Sequence, residues 1–225
     1  MKTMPLLKRL IQAFALASMF VVSANAFATV TSVATGAWNN PATWDTGVPV
    51  ATDDVVIGAG TTVTINTTPI TVASLTVNGT LEYDATVRAF TVSTNLSISP
   101  GGILQTNPAG AQTGHNLTVG GNLTNDGTLD LSTSANTSRG RLTFTGAASN
   151  TFSGTGLTTD LRTLTINKGT SQANILEITT PFSVQGTVVD GAPMAFLTIT
   201  NGTLKISGAF SLASRKFASF SVPAN

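Results

Sequence analysis

The sequence predicts an all-β protein, a right-handed parallel β-helix (β-solenoid) of about 6–7 turns with an N-terminal cap. Leu75, Leu96 and Leu117 are spaced by 21 residues, and each opens a short alternation of apolar and polar residues. A repeat of about 20–25 residues is too small to bury its own apolar face, which is typical of a stacked solenoid. About 18 such segments occur, and three per turn account for the number of turns.

Residues 1–28 have the pattern of a secretory signal peptide. Three basic residues precede an apolar run from Leu10 to Val22, and small-residue cleavage patterns end at Ala26 and Ala28. The run is too short to cross a bilayer comfortably, and no later stretch qualifies. We therefore expect a secreted protein, extracellular or at the cell surface, without a membrane span after cleavage.

Residues 29–58 differ from the repeats and form the predicted N-terminal cap segment. They contain both tryptophans of the chain, Trp38 and Trp44, which we expect to cover the apolar end of the first turn. Stacking of the two indoles on sugar rings is the alternative. The pair Asp53-Asp54 precedes a strand, and we interpret it as a turn, with cation binding as the alternative.

Residues 59–225 contain the predicted β-helix repeats. Segments such as SLTV alternate so that Leu and Val point inward and Thr points outward, and Gly, Asn, Asp or Pro bounds each segment. Corners such as Asn78-Gly79 and Gly101-Gly102 would tolerate left-handed backbone. The alternative is a β-hairpin at Asn78-Gly79, and a series of hairpins would build a sandwich instead.

Composition limits the function classes. Only 9% of the residues are charged, against about 25% in an ordinary soluble domain. Loss of the signal peptide would leave eight Lys and Arg against ten Asp and Glu, so no basic patch for nucleic acid is expected. The chain has no cysteine, which excludes thiol nucleophiles and Cys-zinc sites.

Candidate chemistry is sparse, and we assign no catalytic, cofactor-binding or metal residue. The ten acids are spread from Asp45 to Asp190, whereas β-helix lyases and hydrolases need several on one face. The only histidine, His115, is expected to be a corner residue beside Asn116. The segment Asp126–Asp130 is the best metal candidate, but it lacks the oxygen-ligand repeat of known calcium sites, and a turn is the preferred interpretation. We expect no enzyme and no cofactor.

Two stretches of the chain carry a family resemblance. Trp38 and Trp44, followed by GVPVATDDVVI and SLTVNGTLEY, resemble the opening of secreted β-helix proteins of the Bacteroidota. This region is similar to the extracellular domain family named for its eight conserved glycines. LRTLTINKGTSQANILEI resembles repeats of surface proteins exported by the type IX route, and GNLTNDGTLDL resembles filamentous-haemagglutinin-like adhesin repeats. The resemblance implies a parallel β-helix with a cell-surface or extracellular role, and no catalytic residues. No C-terminal sorting domain follows the repeats, so one expectation is that the chain is the N-terminal part of a longer protein.

The predicted function is that of an exported structural or adhesive β-solenoid that binds through a repetitive polar wall. Glycans or other cell-surface and matrix components are the expected partners. A carbohydrate-binding or polysaccharide-degrading β-helix is the first alternative. An ice-binding solenoid is the second, and it would require regular Thr-x-Thr files on one flat face.

Overall fold

The computed structural model describes residues 28–133, 137–184 and 196–207, together with the backbone of two short strands at 210–211 and 220–221. The predicted signal peptide therefore lies outside the described residues, except for Ala28. Within the described residues, 23 strands form three parallel sheets, which we call walls 1, 2 and 3. A single 3₁₀ turn, Pro41–Thr43, accompanies them.

Each wall is a ladder of short strands from successive turns. Wall 1 contains β1 (Thr29–Thr31), β3 (Asp54–Ile57), β6 (Ser74–Val77), β9 (Leu96–Ile98), β12 (Leu123–Asn125), β15 (Asn150–Ser153), β18 (Ile175–Ile178) and β21 (Thr203–Ile206). Wall 2 contains β2 (Gly36–Ala37), β4 (Thr62–Ile65), β7 (Thr80–Tyr83), β10 (Ile103–Gln105), β13 (Thr128–Asp130), β16 (Thr158–Leu161), β19 (Phe182–Val184) and β22 (Phe210–Ser211). Wall 3 contains β5 (Ile70–Val72), β8 (Ala89–Val92), β11 (His115–Val119), β14 (Ser138–Thr145), β17 (Thr163–Asn167), β20 (Leu197–Asn201) and β23 (Phe220–Ser221).

Strands that are consecutive in the chain lie in different walls, which makes the fold a solenoid. β6 and β7 flank Asn78-Gly79, but β6 pairs with β3 and β9, whereas β7 pairs with β4 and β10. The hairpin alternative is therefore wrong, and the predicted all-β solenoid is confirmed. Seven three-stranded turns follow one two-stranded first turn among the described strands, close to the predicted number.

The core is a set of apolar files that run along the stack inside the walls. Most strands alternate between buried and partly exposed side chains, as the apolar/polar alternation predicts. In wall 3, Leu117, Leu142 and Leu164 occupy one buried file in successive turns. Burying such residues is the main source of stability, because no turn can cover its own apolar side.

The predicted 21-residue spacing connects two residues of the same file from Leu75 to Leu96, but not from Leu96 to Leu117. Leu75 pairs with Leu96 in wall 1, but the next residue in that file is Leu123, 27 positions after Leu96. Leu117 lies in wall 3, where its partner in the preceding turn is Phe90. The corner between β10 and β11 contains nine residues, against five between β7 and β8, and this longer loop shifts the register.

The segment predicted as a cap contains the first turn of the stack. β1 pairs with β3, and β2 pairs with β4, so both ladders already begin there. The 3₁₀ turn Pro41–Thr43 follows, with the side chain of Asn40 accepting a hydrogen bond from the Ala42 N–H at 3.1 Å. Proline stands at the start of this turn, where its lack of an N–H costs nothing.

Candidate functional site

Trp38 and Trp44 are buried in the first turn. Their exposed fractions are 1% and 4%, and their rings meet edge to face with centroids 4.8 Å apart. Trp44 Nε1 donates to the Trp38 carbonyl at 2.8 Å, and Trp38 also packs against Phe90. This hydrogen bond satisfies the indole N–H of Trp44. Burial leaves neither ring surface accessible to a sugar. Both rings belong to the core of the first turn.

In the two Asp segments considered as cation sites, the carboxylates accept hydrogen bonds from neighbouring protein groups. Asp53 Oδ2 accepts the Val50 N–H at 2.8 Å, and Asp54 accepts from the Ser74 hydroxyl. Asp126 Oδ1 accepts from the backbone and the hydroxyl of Thr155 at 2.9 and 3.0 Å. Within the described part of the chain, no group of three His, Asp or Glu side chains is placed to hold a metal ion.

His115 is not a corner residue: it is the first residue of β11, and its ring is 2% exposed. The ring lies on Tyr83 of the preceding turn, with centroids 4.6 Å apart. The Tyr83 hydroxyl in turn donates to the Asn116 carbonyl at 3.2 Å. A sequence pattern could not show this, because the loop before β11 decides where the strand begins.

The protonation of His115 follows from its contacts. The Arg88 backbone N–H donates to Nδ1 at 3.3 Å, so Nδ1 is an acceptor and the neutral ring carries its proton on Nε2. Nε2 is buried without a hydrogen-bond partner among the described residues. Burial lowers the pKa of His115 from 6.5 to about 4, with Asp84 acting in the opposite direction and Arg88 in the same one.

A pocket of about 330 Å³ opens beside His115 on wall 3. We call it the arginine pocket, because three guanidinium side chains line it together with polar residues and glycines. Its lining is Thr113, Gly114, His115, Asn116, Arg139, Gly140, Arg141, Arg162 and Thr163. No Asp or Glu is among these lining residues. Sequence analysis missed the pocket because Arg162 comes from the turn after β14, the strand that contains Arg139 and Arg141.

Acidic residues also converge in a way that their spread along the chain did not predict. The outward file of wall 2 contains, turn by turn, Thr64, Glu82, Gln105, Asp130, Asp160 and Ser183. Ser132 N–H donates to Asp130 at 2.9 Å, and the Ser183 hydroxyl donates to Asp160 at 3.1 Å. Burial raises the pKa of Asp130, while the Ser132 hydrogen bond acts against it.

The outward file of wall 3 is made of threonine in six successive turns. We call it the threonine face: Thr71, Thr91, Thr118, Thr143, Thr165 and Thr198. All six are partly or fully exposed. Asn116 Nδ2 donates to the Thr118 hydroxyl at 3.0 Å, and the Thr143 hydroxyl donates to Asn116 Oδ1 at 3.1 Å. The face therefore reaches the arginine pocket, since Asn116 belongs to both networks.

Comparison with known proteins identifies the domain to which most of this structure belongs. Residues 43–170 match the G8 domain, which is more than half of the chain. The match runs from the end of the 3₁₀ turn to just beyond β17, and it includes the arginine pocket. The search of curated proteins and that of solved structures gave no significant match.

The G8 domain is typically found in extracellular proteins. In the described ranges, no helix is long and apolar enough to cross a membrane. The family match agrees with the similarity seen in the Trp-containing opening and in the strands that follow it. The chain is therefore a member of the G8 domain family.

Proposed function

We propose that this chain is an exported structural module that adheres to cell-surface or matrix components through the threonine face. The observation that supports the proposal is the unbroken file of six threonines in register along wall 3. With strands about 4.8 Å apart, the file extends over about 24 Å. It offers one hydroxyl donor and acceptor per turn to a polymer lying along the stack.

Adhesion by such a surface would depend on the number of contacts rather than on any one of them. A single exposed hydroxyl contributes little, because it exchanges a hydrogen bond with water for one with the ligand. A rigid row of hydroxyls and several copies of the protein raise the effective concentration of each later contact. The parallel ladders supply that rigidity, since every inner strand is bonded on both sides.

Export and location at the cell surface form part of the same proposal. The predicted signal peptide at residues 1–28, the extracellular setting typical of G8 domains and the absence of cysteine support it. The similarity to Bacteroidota β-helix proteins supports a bacterial origin and export by the type IX route. Glycans are the expected partners, because a hydroxyl-rich ligand matches a hydroxyl-rich surface.

The proposed role is non-catalytic, and a polysaccharide-degrading β-helix is the alternative. Asp130 and Asp160 favour that alternative because they are neighbours in the outward file of wall 2. Neighbouring strands are about 4.8 Å apart, near the carboxylate spacing of about 5–5.5 Å in retaining glycosidases. Against it, both carboxylates accept hydrogen bonds from their surroundings, and Asp160 is only 8% exposed.

An ice-binding role is not proposed, because one file of threonine does not make a flat Thr-x-Thr surface. The outward positions beside the threonine face hold different residues in consecutive turns. They are Ala89, Asn116, Arg141 and Thr163.

Adhesion is tested with the secreted full chain, presented as a multimer on beads to a glycan array and to bacterial surface polysaccharide. The triple variant Thr71→Val, Thr91→Val and Thr165→Val removes three hydroxyls and keeps the β-branched shape. We expect it to lower the bead avidity at least tenfold. The control changes a matched outward file of wall 1, Thr76→Val, Ser97→Ala and Thr124→Val, and should bind normally. Equal binding of both triple variants would contradict the proposal.

Catalysis is tested separately with the same polysaccharides. We expect no release of reducing ends or unsaturated products over a day at high protein concentration. Turnover that is abolished by Asp130→Asn would overturn the non-catalytic role. Thr76→Val serves as the control there, because Thr76 lies on wall 1.

A further inference from the structure

We propose that the arginine pocket is a specific binding site for a carboxylate-bearing ligand of about the size of a monosaccharide. The site is distinct from the weak contacts proposed for the threonine face. Its occupancy does not depend on whether the chain is adhesive. Two features of the pocket support the proposal: its buried donor and its charge.

Gly140, one of the lining residues, lies between His115 and Arg162 in one file of wall 3. Gly140 pairs with His115, and the next position in this file is Arg162, because Arg141 pairs with Thr163. The backbone of Gly140 does not require glycine, since its φ is not positive. A Cβ there would lie 3.2 Å from Thr106 Cγ2, 3.5 Å from Leu131 Cδ2 and 3.7 Å from the His115 Cβ, so a larger side chain would crowd these residues.

His115, one of the lining residues, has a buried donor without a partner. His115 carries its proton on Nε2, and this N–H has no acceptor among the described residues. A buried donor left without an acceptor destabilises the protein, so a ligand oxygen that accepts this hydrogen bond removes that cost. The position of the donor is well determined, because Tyr83 packs against the ring and Arg88 fixes Nδ1.

The exposed cation of the pocket, Arg141, favours an anion. Arg139, Arg141 and Arg162 line it, and carboxylates are absent from its described lining. Arg141 is exposed at the rim, and its guanidinium has no ion-pair partner within the ranges that the structure describes. A guanidinium can bind both oxygens of a carboxylate through two parallel hydrogen bonds.

The volume of the pocket and the cost of desolvating the ligand favour a small polar molecule with a single negative charge. The volume of about 330 Å³ is at the lower end of the range of about 300–1,000 Å³ for small-molecule pockets. A carboxylate needs few donors, which one imidazole N–H and one guanidinium supply, whereas a dianion costs more to desolvate. Thr113, Asn116 and Thr163 can hydrogen-bond the hydroxyls of a sugar. The ligand is therefore expected to be a free sugar acid or the acidic unit of a polymer.

The experiment titrates the full chain without its signal peptide with sodium galacturonate, galactose and inorganic phosphate, and follows the His115 ring by NMR. We expect galacturonate to bind at least tenfold more tightly than galactose or phosphate and to shift the His115 Hε1 resonance. A galacturonate trimer that binds more tightly than the monomer supports a polymer source, and equal affinity supports a free acid. Equal affinity for galacturonate and galactose, or tighter binding of phosphate or of an aspartate-rich peptide, would overturn the proposal.

Variants separate binding at the pocket from binding elsewhere. Arg141→Gln removes an exposed cation and should fold normally while weakening galacturonate binding at least tenfold. Gly140→Val should reduce binding by crowding His115, and folding is checked by circular dichroism. Lys205→Gln is the control, since Lys205 is an exposed cation on wall 1. Unchanged affinity in folded Arg141→Gln would reject the site.

Discussion

At the residue scale, two adjacent glycines are required for different reasons. Gly101 has a φ of +83°, and a Cβ there would meet nothing within 4 Å. Gly102 has no positive φ, but a Cβ would lie 2.1 Å from the Val77 carbonyl oxygen of the preceding turn. The left-handed backbone expected at the corners is thus present at Gly101, whereas close packing between turns explains Gly102.

Alanine substitutions should separate the two causes. We expect Gly101→Ala to lower the free energy of unfolding by about 1–2 kcal/mol, and Gly101→Asn to cost less because Asn tolerates this conformation. Gly102→Ala should cost about 3 kcal/mol, because backbone in two turns has to move. Urea unfolding of the three variants provides the measurement. Equal costs for Gly101→Ala and Gly102→Ala would show that one cause governs both sites.

His115 should make the stability depend on pH. Its folded pKa is about 4 and its ordinary value is 6.5, so the unfolded chain binds more protons between these values. The contribution of neutral His115 to the free energy of unfolding is therefore fully present above pH 6.5, and it is lost as the pH is lowered towards 4. We expect a loss of about 2 kcal/mol, less than the full shift implies because water reaches the pocket. His115→Gln should remove this part of the slope in urea unfolding at pH 6.5, 5 and 4, and an unchanged slope would contradict the assignment.

At the element scale, a buried lysine joins two walls at a corner. Lys168 follows β17 and is fully buried, and burial lowers its pKa. Its Nζ donates to the Thr145 carbonyl at 2.9 Å and to the side-chain oxygen of Asn150. The end of β14 in wall 3 and the start of β15 in wall 1 are thereby held by one side chain from the next turn.

Replacing this lysine should destabilise the corner although methionine fits the space. Lys168→Met leaves the acceptors on Thr145 and Asn150 without their donor, and we expect a loss of about 2 kcal/mol. Lys205→Met is the matched control, because its ion pair with Glu177 is exposed, and no measurable change is expected. Thermal unfolding of both variants is the measurement. A Lys168→Met protein as stable as the wild type would show that the hydrogen bonds of Lys168 do not contribute to stability.

At the scale of the whole molecule, stability is expected to depend on the distance from each end. Each turn contacts only its neighbours, so the loss of one end opens the stack progressively. Trp38 is buried in the first turn and packs on Trp44 and Phe90. The first turn therefore protects those that follow it.

Trp38→Ala should unfold the chain from its N-terminal side. We expect a loss of about 3–5 kcal/mol and faster hydrogen exchange in β3 to β8 than in β14 to β17. Phe152→Ala, a change of similar size in β15, should instead accelerate exchange around β14 to β18. Hydrogen exchange followed by mass spectrometry distinguishes the two patterns. Uniform acceleration in both variants would show that the stack unfolds as one unit.

The sequence by itself determined the all-β class, the alternation in each strand and the number of turns. These features are local: a run such as SLTV decides which side chains face inward, and Gly or Asn ends the run. A distinct place for Trp38 and Trp44 at the start of the stack was also predictable, because both lie in the one segment that departs from the repeat. The turn interpretation of Asp53-Asp54 rested on the same local reasoning: Asp53 accepts the Val50 N–H in a turn, whereas Asp54 is the first residue of β3.

Only the tertiary structure decided which residues meet between turns. The loop before β11 moves Leu117 from the file of Leu96 to that of Phe90 and places His115 inside the wall. Loop length sets this register, and local alternation carries no information about it. For the same reason, the threonine face, the acidic file and the arginine pocket combine residues from successive turns. The sequence thus specifies what each strand presents, and the stacking of turns specifies which of those groups form a surface or a site.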